Sequence, residues 1–183
     1  MFDHPLGSGR LRLRAPVRSD RDERLVLGHV PEVARGFGVE LSAATEMAAP
    51  EADRWIAELL AAEHSWVIDL DGRFIGTIRL HSVVPGDARA SLAVAIFDAD
   101  KLGNGYGSQA ISLVTGYAFR ELGLHRLAIR VLASNVRAIR CYKRCGFRIE
   151  GRERESARVG GHWEDDLTMG MLEPESSPAS GTG

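Results

Sequence analysis

The sequence has 183 residues, of which 44% are hydrophobic and 26% charged, which suits a single globular domain with a buried core. Its net charge of −2 argues against a nucleic acid or an anionic membrane as a partner attracted by overall positive charge. No apolar run is long enough to span a bilayer, and residues 1–9 lack the basic and apolar blocks of a signal peptide, so a cytoplasmic protein is expected.

The first elements are marked by alternation and by a capping signal. Apolar residues alternate with arginines over residues 11–15, which predicts a half-buried strand. Ser19-Asp20-Arg21-Asp22 has the spacing of a capping box, which predicts a short helix through Leu27 that Pro31 ends. Residues 32–49 have weak periodicity and are expected to be mobile, with short helical pieces.

A helix, a hairpin and a buried strand follow. Pro50 begins an amphipathic helix. Its predicted apolar face comprises Ala52, Trp55, Ile56, Leu59 and Leu60. Trp66–Leu70, an Asp71-Gly72 turn and Phe74–Leu80 predict a β-hairpin. Ala90–Phe97 is apolar on both faces, which predicts a central strand of the sheet.

The C-terminal part predicts two more helices and three more strands. A long helix over residues 110–122 ends at Gly123, and a strand (Arg126–Leu132) and a second helix (Asn135–Cys145) come next. The last two strands are predicted at residues 148–155 and 162–172. The predicted organisation is a flexible N-terminus over 1–9, one domain over 10–172, and a disordered tail over 173–183.

This order of elements, β-α-α-β-β-β-α-β-α-β-β, predicts an α/β fold. The expected architecture is one mixed sheet of about seven strands with helices on both faces. The strand–loop–helix–strand unit over residues 90–132 should be a parallel crossover, and the C-terminal hairpin should be antiparallel.

The two cysteines, Cys141 and Cys145, are four residues apart. On a helix they share a face without being placed for an easy disulfide. No neighbouring ligands have zinc-like spacing, so no metal is expected. The pair is interpreted as two half-buried thiols, with a redox or metal role as the alternative.

A glycine-rich loop, Gly103-x-Gly105-x-Gly107, connects the central strand to the long helix. Glycines allow backbone angles and close approaches that other residues do not. The loop N–H groups can therefore converge on an anion such as a pyrophosphate at the helix N-terminus. The loop lacks the Gly-Lys-Ser/Thr ending of a nucleoside-triphosphate site, and Ser108 stands where a dinucleotide fingerprint needs its third glycine. An ordinary turn is the remaining alternative.

Three segments carry a family resemblance. The glycine loop resembles the Gln/Arg-x-x-Gly-x-Gly/Ala pyrophosphate loop of the GNAT superfamily, with Leu102 in place of Gln/Arg. Residues 135–147 resemble the superfamily's Asn-x-x-Ala/Ser-x-x-x-Tyr-x-x-x-Gly-Phe segment. Residues 150–169, from Glu150-Gly151 through an Arg/Glu-rich run to Gly161-His162-Trp163-x-Asp165-Asp166-x-x-Met169, resemble the closing hairpin of the ribosomal-protein N-terminal (ribosomal-protein-alanine) and spermidine acetyltransferase branch. The resemblance implies the GNAT fold, whose central sheet is splayed at the middle.

The resemblance also implies acetyl-CoA as the co-substrate, no metal, and direct attack of a primary amine on the thioester. Backbone groups near the end of the central strand would pair with the pantetheine amides, and loop N–H groups would hold the diphosphate. The implied cofactor-binding residues are Val94, Ala95, Ile96, Leu102, Gly103, Asn104, Gly105, Tyr106, Gly107, Ser108, Asn135, Ala138 and Tyr142.

The resemblance makes Tyr142 the catalytic general acid for the departing thiolate, whereas helical spacing alone favours a core tyrosine. Asn135 either caps its helix or contacts the cofactor, and both are compatible. Relatives carry a glutamate base where this chain has Leu92. The candidate substitutes are His81, Glu150, Glu153, Glu155, His162, Asp165 and Asp166. A solvated surface role for each of them, with water as the base, is the alternative.

The acceptor amine is left open by the sequence. The acidic residues of the last two strands favour a small polycationic amine, such as a polyamine or an aminoglycoside antibiotic, which would imply resistance. Interleaved arginines make a solvated hairpin the alternative reading of those charges. The other candidate functions are acetylation of a protein N-terminus, as on a ribosomal protein, and a non-catalytic CoA-binding sensor or interaction module. Residues 33–47 and 83–89 are the predicted acceptor walls. Homodimers are common, and the sequence adds nothing to that expectation.

Overall fold

The structure is a computed structural model that describes residues 5–7 and 9–173. The predictions made for residues 1–4, 8 and 174–183 lie outside the described residues. The strands are β1 (Leu11–Arg14), β2 (Ser65–Leu70), β3 (Arg73–Val84), β4 (Arg89–Ile96), β5 (Arg126–Leu132), β6 (Arg148–Val159) and β7 (His162–Leu172). The helices are α1 (Asp20–Leu27), α2 (Pro31–Gly36), α3 (Ala49–Ala61), α4 (Tyr106–Arg120) and α5 (Val136–Arg144), with short 3-10 turns at Pro85–Asp87 and Ala99–Lys101.

The seven strands form one mixed sheet in the order β1-β2-β3-β4-β5-β7-β6. All described neighbours are antiparallel except β4 and β5, which are parallel and are connected through α4. This confirms the predicted α/β class, the parallel crossover and the antiparallel C-terminal hairpin. β4 is fourth of the seven strands, so its predicted central position is also confirmed.

The middle of the sheet is open. β4 and β5 pair only from Arg89↔Arg126 to Ser91↔Ala128, whereas β3 stays paired with β4 as far as Ile96. β5 in turn stays paired with β7 as far as Leu132. The two central strands therefore diverge over the second half of β4, and its backbone edge is freed for another hydrogen-bonding partner.

Apolar residues cover both faces of β4. Leu92 belongs to the larger core cluster, which includes residues of α4, α5 and most strands. Ala95 and Phe97 belong to a smaller cluster with Ile56 and other residues of α3, β2 and β3. Alternation along a strand sends successive side chains to opposite faces, which explains why this segment reads as apolar throughout.

The predicted capping box at the start of α1 is wrong. The Ser19 side chain makes no capping hydrogen bond, and Ser19 itself has helical backbone angles. The carboxylate of Asp20, which is 1% exposed, accepts the hydrogen bonds that stabilise this turn instead. It accepts hydrogen bonds from the Val17 N–H (2.7 Å) and from Arg14 (2.6 and 3.0 Å), so a buried ion pair with β1 fixes the start of the helix.

Pro31 was predicted to end a helix, and it instead begins one. α1 ends at Leu27, and Gly28 has a φ of +59° that turns the chain. Pro31 then occupies the first turn of α2, where its missing N–H costs nothing, and the element order gains one helix. Two smaller differences are that Leu60 is 41% exposed rather than on the buried face, and that β6 continues to Val159 through a bulge.

Candidate functional site

The glycine loop connects β4 to α4 and leaves open space in front of its backbone. Gly103 and Gly105 have φ values of +78° and +85°, and a Cβ added at Gly103, Gly105 or Gly107 would meet nothing within 4 Å. α4 begins at Tyr106, with Gly105 in the N-cap position. Because the first turn of a helix has N–H groups without intrahelical acceptors, this turn can donate to an anion.

Two side chains stabilise the loop from behind. The Asn104 amide donates to the carbonyl oxygens of Asp100 (3.1 Å) and Leu102 (3.2 Å). The Ser108 hydroxyl is 3.2 Å from the Cys141 sulfur, which connects the first turn of α4 to α5. The loop conformation is therefore stabilised by one of its own side chains and by a contact between α4 and α5.

An open cleft of about 250 Å³ lies between the divergent halves of β4 and β5, bounded by the glycine loop and α5. It is lined by most of the residues predicted from the sequence to bind the cofactor. These are Val94, Ile96, Leu102, Gly103, Gly105, Tyr106, Gly107, Ser108, Asn135, Ala138 and Tyr142. Ala95 and Asn104 are absent from the lining, because Ala95 faces the opposite side of β4 and the Asn104 side chain bonds within the loop.

Four basic residues on the cleft wall were missed by the sequence analysis: Lys101, Arg130, Arg137 and Arg144. Arg137 and Arg144 are seven residues apart on α5, a spacing that places them on one helix face and could have identified them. Arg137 also pairs with Glu32 of α2 at 3.0 Å. Arg130 is likewise paired, with Asp166, so the cleft has basic side chains beside its loop of N–H donors, two of them already paired with carboxylates.

Tyr142 lies in this cleft and is 9% exposed. Its ring packs edge-on against Phe147, with ring centroids 6.3 Å apart. Burial, and then the charges of Cys141 and Cys145, raise the pKa of Tyr142 to about 12, so the phenol is a hydrogen-bond donor at neutral pH. Within the described residues its hydroxyl makes no hydrogen bond.

The two cysteines are free and half-buried, which confirms the interpretation as thiols. The hydrogen bond from Cys145, followed by that from Ser108 and the charge of Arg144, lowers the pKa of Cys141 despite its burial. Cys141 lines the cleft. Asn135 caps α5, since its side-chain oxygen accepts from the Ala138 N–H at 3.1 Å, and it also lines the cleft.

A second cavity of about 440 Å³ lies on the other face of β4, enclosed by α1, α2, α3 and β3. Its walls are mostly apolar and include Trp55 and Phe97. The residues that line both cavities are Val33, Phe37, Ala93 and Val94. The two cavities therefore meet where α2 crosses the second half of β4.

The second cavity has balanced charges. Arg24 and Arg79 line it, as do Glu51 and Glu58. His29, also in the lining, has its Nε2 3.1 Å from Oε2 of Glu51. None of these residues was singled out by the sequence analysis, because they come from three elements and the segment between α1 and α2, and they share no sequence pattern.

The general-base candidates of the sequence analysis line neither cavity. His81 is exposed, with Nδ1 3.1 Å from the Ser82 hydroxyl, and burial followed by the charge of Arg79 lowers its pKa. The carboxylates on β6 and β7 are largely paired with arginines. The pairs are Glu150–Arg126, Glu153–Arg130, Asp165–Arg152 and Asp166–Arg130, whereas Glu155 and His162 are exposed.

Of the predicted acceptor walls, one segment lines the second cavity and the other does not. Val33, Phe37 and Leu41 from the 33–47 segment are part of its wall. Residues 83–89 line neither cavity, because β4 begins there, at the end where it is still paired with β5.

The fold is an open mixed sheet whose central strand runs into a glycine loop at a helix N-terminus, an arrangement whose N–H groups can donate to an anion such as a diphosphate. Residues 10–148 match the acetyltransferase (GNAT) domain family, so the chain belongs to the GNAT family. This confirms the resemblance inferred from the sequence.

The chain is also similar in sequence to a curated relative and in fold to two solved structures. The chain is 33% identical over 105 residues to "Probable N-acetyltransferase YjcK" of Bacillus subtilis (strain 168), a match that covers 57% of this chain and 58% of that protein. The chain therefore spans less than two thirds of this relative. A structure of spermidine N-acetyltransferase from Vibrio cholerae, in complex with CoA and spermine, has a TM-score of 0.77 at 22% identity and covers 92% of this chain and 99% of its own. RimL, a ribosomal L7/L12 alpha-N-protein acetyltransferase, has a TM-score of 0.79 at 16% identity, with 92% and 94% covered.

No helix among the described residues has the length and apolar character that a membrane span requires. In the same part of the chain, no group of three or more His, Cys, Asp or Glu side chains is placed to hold a metal ion.

Proposed function

We propose that this protein is an acetyl-CoA-dependent N-acetyltransferase that transfers acetyl directly to a primary amine. The observation that carries the proposal is the meeting of two cavities across the second half of β4. One contains a glycine loop, cationic side chains and Tyr142, and the other is a mostly apolar chamber with its own titratable groups. A donor and an acceptor can approach each other there without a covalent enzyme intermediate.

The first cleft fits CoA by the chemistry of its donors. Acetyl-CoA supplies the thioester whose acetyl group is transferred. The unpaired backbone edge near Val94 and Ile96 suits the pantetheine amides, and the N–H groups at the start of α4 suit the diphosphate. Lys101 and Arg144 add positive charge for the phosphates.

Tyr142 is proposed as the group that stabilises the leaving thiolate. Its raised pKa, about 12, means that full proton transfer to a thiolate is uphill, so its main contribution is a hydrogen bond to the charge that develops on sulfur. The hydroxyl lies in the cleft and has no hydrogen-bond partner among residues 5–7 and 9–173, which leaves it available for that bond.

The proton that the ammonium must lose is proposed to leave through His29 and Glu51. They form the imidazole–carboxylate pair that lines the second cavity. Two main-chain hydrogen bonds to Thr45 (2.7 and 3.1 Å) fix the backbone position of His29, and the contact with Glu51 orients its ring. A carboxylate bonded to an imidazole orients the ring and stabilises its protonated form.

The acceptor is proposed to be a small molecule with a single primary amine. The carboxylates that favoured a polycation in the sequence analysis line neither cavity, and most of them are paired with arginines. In the second cavity, two glutamates face two arginines, so its charge does not favour several ammonium groups. A polyamine, an aminoglycoside and a peptide with a free N-terminus remain the comparison acceptors.

A thiol-release assay with acetyl-CoA and this panel of amines tests the proposal, with mass spectrometry to identify the acetylated product. We expect turnover with small monoamines. Turnover of polyamines or peptides alone would keep the enzyme and change the acceptor class. CoA binding without any turnover would support a non-catalytic CoA-binding module instead.

A further inference from the structure

Arg24 is the most anomalous charged residue of the second cavity. It is only 5% exposed, and its Nε has no hydrogen-bond partner in the described part of the chain. Its Nη1 donates to the carbonyl oxygen of Gly28 at 2.5 Å, and its guanidinium lies 4.2 Å from the centroid of the Phe97 ring. Among the described residues Arg24 makes no ion pair, although the charge of Glu51 acts on it from beyond contact distance.

Other arginines nearby are differently placed. Arg21, one turn earlier on the same helix, pairs with Asp53 of α3 at 2.7 Å. Arg14 pairs with Asp20 and Asp69. Arg24 is more buried than Arg14 and lines the second cavity. Unlike Arg14 and Arg21, it makes no ion pair with a carboxylate of the described residues. Because a buried cation without a counter-charge is costly, a guanidinium left in this state is suited to an anion that arrives with a ligand.

We propose that the acceptor amine also carries a carboxylate, and that the buried guanidinium of Arg24 binds this carboxylate. The inference rests on the proposed acetyltransferase function and names the substrate class of its acceptor site. A guanidinium presents N–H donors in a planar fork that matches the two oxygens of a carboxylate. Arg79 at the exposed side of the cavity supplies a second positive charge for the same group.

The layout of the cavity separates the two ends of such a ligand. The amine must reach the wall shared with the cofactor cleft, which includes Val94. Arg24 lies over the ring of Phe97. Phe97 is three residues beyond Val94 in the chain, a separation of about 10 Å in an extended strand. The apolar walls between them suit a hydrocarbon chain or ring. The expected acceptor is therefore an amino acid whose side chain or carbon chain is apolar.

The test compares each acid with its own amide. Phenylalanine and aminocaproate, which differ in the distance between amine and carboxylate, are assayed against phenylalaninamide and aminocaproamide by thiol release. For at least one pair, the wild-type protein should show a higher kcat/KM for the acid. Arg24→Gln should lower the acid-to-amide ratio about thirtyfold, as expected for truncation of one partner of a buried charge pair. Comparing ratios between proteins cancels the different basicities of acid and amide amines.

Two further variants separate binding from structure. Arg21→Gln removes an ion-paired arginine of α1 that does not line the second cavity, and it should leave the ratio unchanged. Arg24→Lys keeps the charge without the fork and should keep part of the preference, which also provides a measurement if Arg24→Gln fails to fold. Equal losses for acid and amide in the Arg24 variants would assign Arg24 a purely structural role and overturn the inference.

Failure of the inference is distinguishable from failure of the proposed function. If the wild-type protein acetylates amides or polyamines but shows no preference for any acid, the inference is overturned and the acetyltransferase proposal stands. If it binds acetyl-CoA and releases no thiol with any acceptor, both are overturned.

Discussion

Replacing Tyr142 by phenylalanine tests the chemistry proposed for the cofactor cleft. The substitution keeps the ring and its edge-on contact with Phe147 at 6.3 Å, and removes only the hydroxyl. Because that hydroxyl has no hydrogen-bond partner within the described part of the chain, its loss leaves no buried group unsatisfied. The free energy of unfolding should change by less than about 1 kcal/mol, in keeping with a substitution that creates no cavity.

The expected effect is on turnover. A hydrogen bond to a charged group contributes about 1.5–3 kcal/mol, and each 1.36 kcal/mol corresponds to a factor of about ten in rate, so kcat should fall between about tenfold and 150-fold. The affinity for CoA, measured by calorimetry, should change little. Since the pKa of Tyr142 is raised to about 12, its contribution should persist through neutral and mildly alkaline pH and be lost only as pH approaches that value.

The assay is the initial rate of thiol release at saturating acetyl-CoA. Tyr117→Phe is the matched control, since Tyr117 packs against Trp66 in the core, outside both cavities. That variant should keep the wild-type kcat. An unchanged kcat for Tyr142→Phe would refute its assignment to the leaving thiolate.

Four further predictions follow from the site and the sheet. Gly105→Val should weaken CoA binding at least about tenfold, because a β-branched residue is strained at a φ of +85°, whereas Gly72→Val, equally strained in a remote turn, should leave CoA affinity unchanged. His29→Gln should lower kcat about a hundredfold with little change in CoA affinity, and an unchanged pH–rate profile would remove His29 from the proton path. Iodoacetamide should label Cys141 faster than a free thiol at neutral pH, with a rate that falls as pH drops through the lowered pKa, and bound CoA should block it; equal labelling with and without CoA would contradict its placement in the cleft. Gly76→Ala should destabilise the fold by about 2 kcal/mol, since the added Cβ would lie 2.1 Å from the Ala95 carbonyl oxygen, and an unchanged melting curve would contradict that packing.

Features set by local sequence were predictable. The glycine loop, the Asn135 cap and the doubly apolar β4 each depend on residues close together in the chain, and the structure contains all three. The opening between β4 and β5 was expected only through the family resemblance. Strand divergence depends on pairing partners distant in sequence, so no local pattern specifies it.

Features set by tertiary contacts were not predictable. The spacing at Ser19 is that of a capping box, but the buried ion pair between Asp20 and Arg14 of β1 determines the start of α1. The second cavity combines Arg24, His29 and Glu51 from three separate segments, whose juxtaposition exists only in the folded chain. The acidic residues that looked available on β6 and β7 are paired with arginines from other strands for the same reason.

We propose that CoA is held jointly by the main chain of the glycine loop and by the freed edge of β4. Amide hydrogen exchange measured with and without CoA, at single-residue resolution, reports on both places. We expect CoA to slow exchange over residues 104–108 and near Val94 and Ile96, with little change on β1 or β2. Unchanged exchange at both places in a CoA-saturated sample would refute this binding mode.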